Sequence, residues 1–399
     1  MKEKLPLISG LIGLYLISAA LSWFVFSQTK GSNAMSAGEL ASIRDKIAEL
    51  PKTEECPING AYHTKIERDI WEGRRPLAVM VENHFDARPL SGLSKADVVY
   101  EAVAEGGITR FLGVFYCSAS SKDFRIAVVR SARVYFIKWA AEYGSNPLFM
   151  HWGGANNFGP NGGPKPEGDV DPRVDAYALL NKLDWINGSY GNDLDGSRNF
   201  AAPALMRLPN RISDTDAPAE HQPAAFVDLV YTKAAERGWA NVDSKGIPWD
   251  KNFKNWKFKD DSPDGAPSVS EISFQFWGNW EDYDVKWVYE AENNIYKRFN
   301  GGRPFVDYDF NNEQISAKNI VVQFVKEEGP VDNEKHLYYE NVGAGEALVF
   351  QNGEVYEASW EKDGLLERTR FYDSTGKEIE FVRGKIWVEA VPSGNSVEY

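Results

Sequence analysis

The sequence predicts a mixed α/β domain followed by an antiparallel all-β domain, with a transmembrane helix ahead of both. Three observations carry that expectation. An uncharged apolar run, Leu5–Phe26, stands near the start. Between residues 73 and 240, short buried-type runs are interspersed with helix-period segments. From Ser268 onward, apolar residues recur with a period of two almost throughout. At 399 residues the chain also exceeds what one hydrophobic core usually serves.

Leu5–Phe26, at about 1.5 Å per residue, spans roughly the 30 Å hydrocarbon layer. A cleaved signal peptide has a shorter apolar region of about 7–15 residues, although Ser32-Asn33-Ala34 supplies a small-residue cleavage site. Lys2 and Lys4 precede the run, and no comparable basic cluster follows until Arg44. The positive-inside rule then places the N-terminus in the cytoplasm and the body outside, in single-pass topology. Residues 1–30 are thus expected to be a stub and anchor, 31–72 a tether or stalk, 73–240 the α/β domain, 241–267 a linker and 268–395 the β-domain.

The net charge of −14 argues against a nucleic-acid partner but leaves room for a local basic pocket. The 13 Trp and 18 Tyr suit a carbohydrate-binding surface and equally a β-rich core. Cys56 and Cys117 are either a pair tying the tether to the central hairpin or two buried thiols. Without a histidine at ligand spacing they do not make a zinc site.

Taken in order, Glu39–Leu50 has apolar residues at helical spacing and stops at Pro51. Pro76–Val81, Val98–Val103, Ile108–Tyr116, Phe124–Val129 and Pro147–Trp152 read as strands. Ala132–Tyr143 and Val174–Leu183 read as helices, as does Pro223–Gly238, with Pro near its start and Gly after its end. Asn156–Asp171 and Asn187–Ser197 are irregular loops. In the last third, Asn293-Asn294, Asn352-Gly353 and Ser374-Thr375-Gly376 are hairpin turns between alternating runs.

Ligands in layered α/β domains collect where strands end. Those ends supply Glu82, Asn83, His84, Glu105, Arg110, Arg130 and His151. Glu101 shares a strand face with Glu105, so the pair suits a shared proton, a cation, or ion pairs with Arg110 and Arg133. In Arg130-Ser131-Ala132-Arg133, Ser131 is placed to cap a helix whose N–H groups and flanking arginines suit an anion. The alternative is a plain capped helix with its arginines on Glu101 or Glu105. His151 precedes two glycines, a catalytic setting or that of a hydrogen-bonded structural histidine. His84 shares a loop with Asp86, and Arg198 adds a cation from the second loop. No histidine pair has zincin spacing, so no metal is expected, and no motif names a cofactor.

The stretches RPLAVMVENHFDARPLSGLSKADVVYEAVAEGGITRFLGVF, VVRSAR and HWGG, with NIVVQFV, GAGEALVFQNGEVYEASW and YDSTGKEIEFVRGKIWVEAVP, cover roughly residues 73–393. In them the chain resembles the YerB-type bacterial lipoprotein family, domain of unknown function number 3048. The resemblance implies an envelope protein at the outer face of the cytoplasmic membrane and supplies no mechanism. Two departures stand out. No lipobox cysteine follows the apolar run, so a transmembrane helix is expected in place of the lipid; and Pro209 precedes Asn210 directly, where the family stretch is expected to hold a histidine between them.

Three functions are compatible with these residues. One is binding of an anionic or polyhydroxylated envelope ligand, such as a cell-wall polymer or small anion, by Arg110, Arg130 and Arg133. The second is a cell-wall hydrolase or transferase using Glu101 or Glu105 with His151 or His84. The third is a scaffold in which the charges are structural.

Overall fold

The segment Leu77–Glu82 (β1) is buried at every position, the signature of a strand covered on both faces. Its neighbours in sequence are Val98–Glu105 (β2), Ile108–Phe115 (β3) and the short Arg125–Ala127 (β4). Then come Leu148–His151 (β5), Asp193–Asp195 (β6), Leu205–Arg207 (β7) and Pro223–Phe226 (β8). The second half adds Glu271–Phe274 (β9), Val285–Glu290 (β10), Ile295–Asn300 (β11) and Asn319–Val325 (β12). Last are Gly343–Gln351 (β13), Glu354–Lys362 (β14), Arg370–Asp373 (β15) and Ile386–Pro392 (β16). These elements come from a computed structural model that describes residues 37–144, 146–158, 165–166, 169–186, 192–213, 216–243, 245–262 and 266–399.

Ten of the strands form one mixed sheet in the order β15-β14-β13-β12-β16-β2-β3-β1-β5-β6. The joint is β16, near the end of the chain. It runs parallel to β12 on one side and to β2 on the other, with Ile386 opposite both Asn319 and Val98. Both halves of the sequence therefore share one sheet, which corrects the expected α/β domain followed by a separate antiparallel β-domain. Six of the seven β16 residues are buried, as a central strand requires, whereas β14 alternates like a strand with one wet face. The period-two reading grouped the two together and so missed the insertion.

Among the described residues, helices are few and short. Ala37–Arg44 (α1), Lys65–Trp71 (α2), Val134–Ala140 (α3), Ala176–Lys182 (α4) and Val227–Glu236 (α5) have seven to ten residues each. None of the described helices is long and apolar enough to cross a membrane. The expected transmembrane helix is accordingly not part of the observed fold, and Leu5–Phe26 lies outside the described residues, as does Ser32-Asn33-Ala34. Parts of the two irregular loops, 159–164 and 187–191, also lie outside them. The helix expected over Pro223–Gly238 begins only at Val227, because 223–226 pairs with β4 and β7.

Residues 37–72, read as a tether, pack onto the body. Leu40 is buried, and the Arg44 guanidinium pairs with the buried Asp228 of α5. Thr64 and Glu67 close a capping box on α2. Cys56 is bonded to Cys117, just after β3, across a separation of 61 residues.

A second sheet, containing β9, β10 and β11, packs on the first through a buried charge centre. Arg298 of β11 packs against the rings of Trp287 and Trp387, 5.1 and 5.3 Å away, which themselves meet edge to face with centres 5.2 Å apart. It contacts Glu101 at 2.8 Å and Glu389, and all three side chains are fully buried. Glu101 and Glu389 sit opposite each other on β2 and β16. Burial pushes the Glu389 carboxyl well above its usual range; Arg298 opposes this and the neighbouring Glu101 adds to it.

Two measurements check this account. Opening the disulfide by Cys56→Ser/Cys117→Ser is expected to cost about 4 kcal/mol in urea unfolding, from the entropy of the loop it closes. Glu389 holds a proton in the folded state that the unfolded chain loses above about pH 4.3. Its contribution is therefore full below that pH and is lost as pH rises toward the folded value. Glu389→Gln, which mimics the protonated form, should be more stable than the parent at pH 8, with the gap closing toward pH 5.

Candidate functional site

Antiparallel pairing of β1 with β3 and of β3 with β2 puts Glu82 opposite Arg110 and Glu105 opposite Ile108. The ends of β1 and β2 and the start of β3 thus meet at one edge of the sheet. Segment 129–133 crosses beside them, with Arg130 N–H donating to Met80 O at 2.9 Å and Ala132 N–H to Gly153 O at 2.9 Å. Glu82, Glu105, Arg110, Arg130 and Arg133 converge for that reason.

Glu105 bridges two guanidinium groups, Arg110 on one oxygen and Arg133 at 2.8 Å on the other. Burial disfavours its charge, but Arg110 and Arg133 outweigh burial and hold the carboxyl far below its usual range. Burial, with repulsion from Arg133, brings Arg110 down to about 10. Next to this pair, Glu82 takes Arg130 Nε at 3.1 Å and His221 Nδ1 at 2.8 Å. His221 stacks on His84 with ring centres 4.9 Å apart. Burial and the proximity of His221 lower the His84 pKa.

The other expected residues fall elsewhere. Asn83 is buried, donating to Thr109 Oγ1 at 2.7 Å and Asn300 Oδ1 at 3.1 Å. Glu101 belongs to the buried Arg298 centre and accepts from Thr109 Oγ1 at 2.7 Å, so it does not reach the edge. His151 is fully buried with both nitrogens engaged, Nε2 on Asp193 Oδ1 and Nδ1 on Gly153 O, each at 2.7 Å. Burial lowers its pKa, but the hydrogen bond and charge of Asp193 prevail and raise it. Arg198 is exposed, over the Tyr177 ring at 4.9 Å. Ser131 is not the cap expected of it. The helix begins at Val134 with Arg133 in the cap position, and Ser131 Oγ donates to Trp152 O at 3.1 Å instead. Ala132, next in the chain, is drawn into a β-bridge with Gly154, and the backbone there cannot also start a helix.

His221 was missed. It comes from the Pro218–Gln222 turn, far from His84 in sequence, and no local spacing marks it. Asp193, the partner of His151, was missed for the same reason.

The depressed Glu105 carboxyl makes a pH prediction. Its folded value lies below the unfolded one of about 4.3, so its contribution is present above that pH and is lost as pH falls through the folded value. Glu105→Gln should lower stability at pH 7, and the difference from the parent should shrink in acid unfolding below pH 4.

Residues 64–161 match the model of the protein of unknown function (DUF3048) N-terminal domain, and 272–388 match that of its C-terminal domain. A Bacillus subtilis (strain 168) protein described as "Putative lipoprotein YerB" is 28% identical over 351 residues, 88% of this chain and 89% of that protein. The crystal structure of the YerB protein from Bacillus subtilis superposes with a TM-score of 0.65 at 24% identity, covering 87% of this chain and 100% of that one, which shows a common fold. The two domain matches together span more than half of the sequence, in the expected order, and the chain belongs to the DUF3048 family.

Proposed function

We propose that the chain is the extracytoplasmic, ligand-binding body of a cell-envelope protein, and that it holds a small anion or the anionic group of an envelope molecule at the Arg110–Arg130–Arg133 edge. The observation that carries this reading is the charge arrangement. Three guanidinium groups face the two carboxylates Glu82 and Glu105, and Arg130, a quarter exposed, reaches solvent. Guanidinium forks already held in place by carboxylates lose little freedom when a phosphate or carboxylate arrives. The Cys56–Cys117 bond fits an oxidising compartment outside the cytoplasm. The similarity to a protein described as a lipoprotein supports attachment at the envelope.

The enzyme reading has less support because its two carboxylates and His151 are committed. Glu101 is locked on Arg298, Glu105 is held ionised by two arginines, and both His151 nitrogens are occupied. A general acid or base needs a pKa near the working pH and access to substrate.

Thermal shift of the full-length protein with phosphate, polyphosphate, teichoic-acid and muropeptide fragments is the test. A bound anion should raise Tm in proportion to occupancy. Arg130→Gln should weaken that ligand about tenfold or more, equivalent to about 1.4 kcal/mol, with little change in Tm without ligand. No shift with any anion, or the same shift in Arg130→Gln, would remove this site.

A further inference from the structure

The geometry points to a divalent transition-metal site, of the class that takes zinc, formed by His84, Asp86 and His221. One ligand atom from each of the three lies within 4.8 Å of the others. Among the described residues one other group of this kind exists, Cys56, Asp97 and Cys117, and its two sulfurs are joined as a disulfide and so are not thiolates. The inference stands on imidazole and carboxylate positions and does not depend on an anion binding at the arginines.

The tautomer of His221 suits ligation, and His84 would turn out of its stack on His221 to aim a nitrogen at the ion. His221 Nδ1 lies 2.8 Å from Glu82 Oε2, and a carboxylate oxygen only accepts, so Nδ1 carries the proton and Nε2 offers the lone pair. A carboxylate behind a ligating histidine is the usual outer partner at metal sites, fixing the tautomer and increasing basicity. His84 Nδ1 lies 3.6 Å from Asp86 Oδ2, and its lone pair, which accepts from Asp86 N–H at 3.3 Å, would pass to the ion when the ring turns. A tetrahedral ion with bonds of about 2 Å sets its ligand atoms about 3.3 Å apart. The first two ligands are nearly at that spacing, and the third needs an inward shift of at most about 1.5 Å. Asp86 is half exposed and His84 partly so, which leaves them free to make it.

Charge and donor type agree. Asp86 and Glu82 contribute two negative charges against the one positive charge of Arg130 beside them. Two imidazoles and one carboxylate are the donors of three-ligand zinc sites, which keep a fourth position open. That position would face solvent on the side of the exposed Phe85 and Asp86.

The test uses the full-length protein, freed of metal with a chelator and titrated by calorimetry with Zn²⁺ in chloride buffer without phosphate or other candidate anions. Bound Co²⁺, followed by its visible absorption, is a second readout. The parent should bind one equivalent. Asp86→Ala and His84→Ala, both at partly exposed positions, should each weaken binding about tenfold or more without lowering Tm, and Glu82→Gln should weaken it about 10–100-fold by freeing the His221 ring. His336→Ala, at a histidine away from the site and paired with Asp332, should bind as the parent does. Absence of a saturable site would overturn the proposal, as would retention of the site in His84→Ala/Asp86→Ala or its loss in His336→Ala alone.

Discussion

Arg298 is where the two halves of the chain are tied together. Its guanidinium is wholly removed from water, packed against both Trp287 and Trp387, and charge-paired with Glu101 of β2 and Glu389 of β16. Two facing carboxylates around one cation are tolerable in the interior only if one of them carries a proton, and the upward push on Glu389 meets that requirement. Removing Arg298 or Glu101 would strand an uncompensated charge, so the centre constrains the register of β16 against β2 as well as the seating of the second sheet.

The constraint extends to the candidate site. Arg298 Nη2 donates to Asn300 Oδ1 at 3.3 Å, and that oxygen also accepts from Asn83 Nδ2 at 3.1 Å. Asn83 in turn accepts from Arg88 Nε at 3.0 Å, so both ends of the turn carrying His84 and Asp86 are held from beneath. The functional turn is thereby anchored to a buried network at its roots, while its tip, with Phe85 and Asp86, stays exposed.

The two proposed sites share one buried carboxylate. Glu82 has one oxygen on Arg130 and the other on His221. A change at either partner alters the charge felt by the other, which couples the arginine edge to the histidine pair without any backbone movement. Glu105, by contrast, is devoted to holding Arg110 and Arg133 in a fixed fork.

Much of this was legible in the chain itself. Continuous apolar runs announced β1 and β5, and alternation announced the hairpin of β13 and β14, whose Asn352-Gly353 turn has both residues at positive φ as predicted for that pair. The gathering of Glu82, Glu105, Arg110 and Arg130 followed from placing strand ends together, and Arg133 from the Arg130-Ser131-Ala132-Arg133 motif. These features depend on near neighbours, through side-chain sterics and hydrophobic period. Tertiary structure alone decided that β16 enters the sheet between β12 and β2, and that Glu101 faces Arg298 while Glu105, on the same strand, faces the arginine edge. It also decided that His221 meets His84. Each of those depends on a partner far away in sequence, chosen by the packing of whole sheets, which no local pattern of residues encodes.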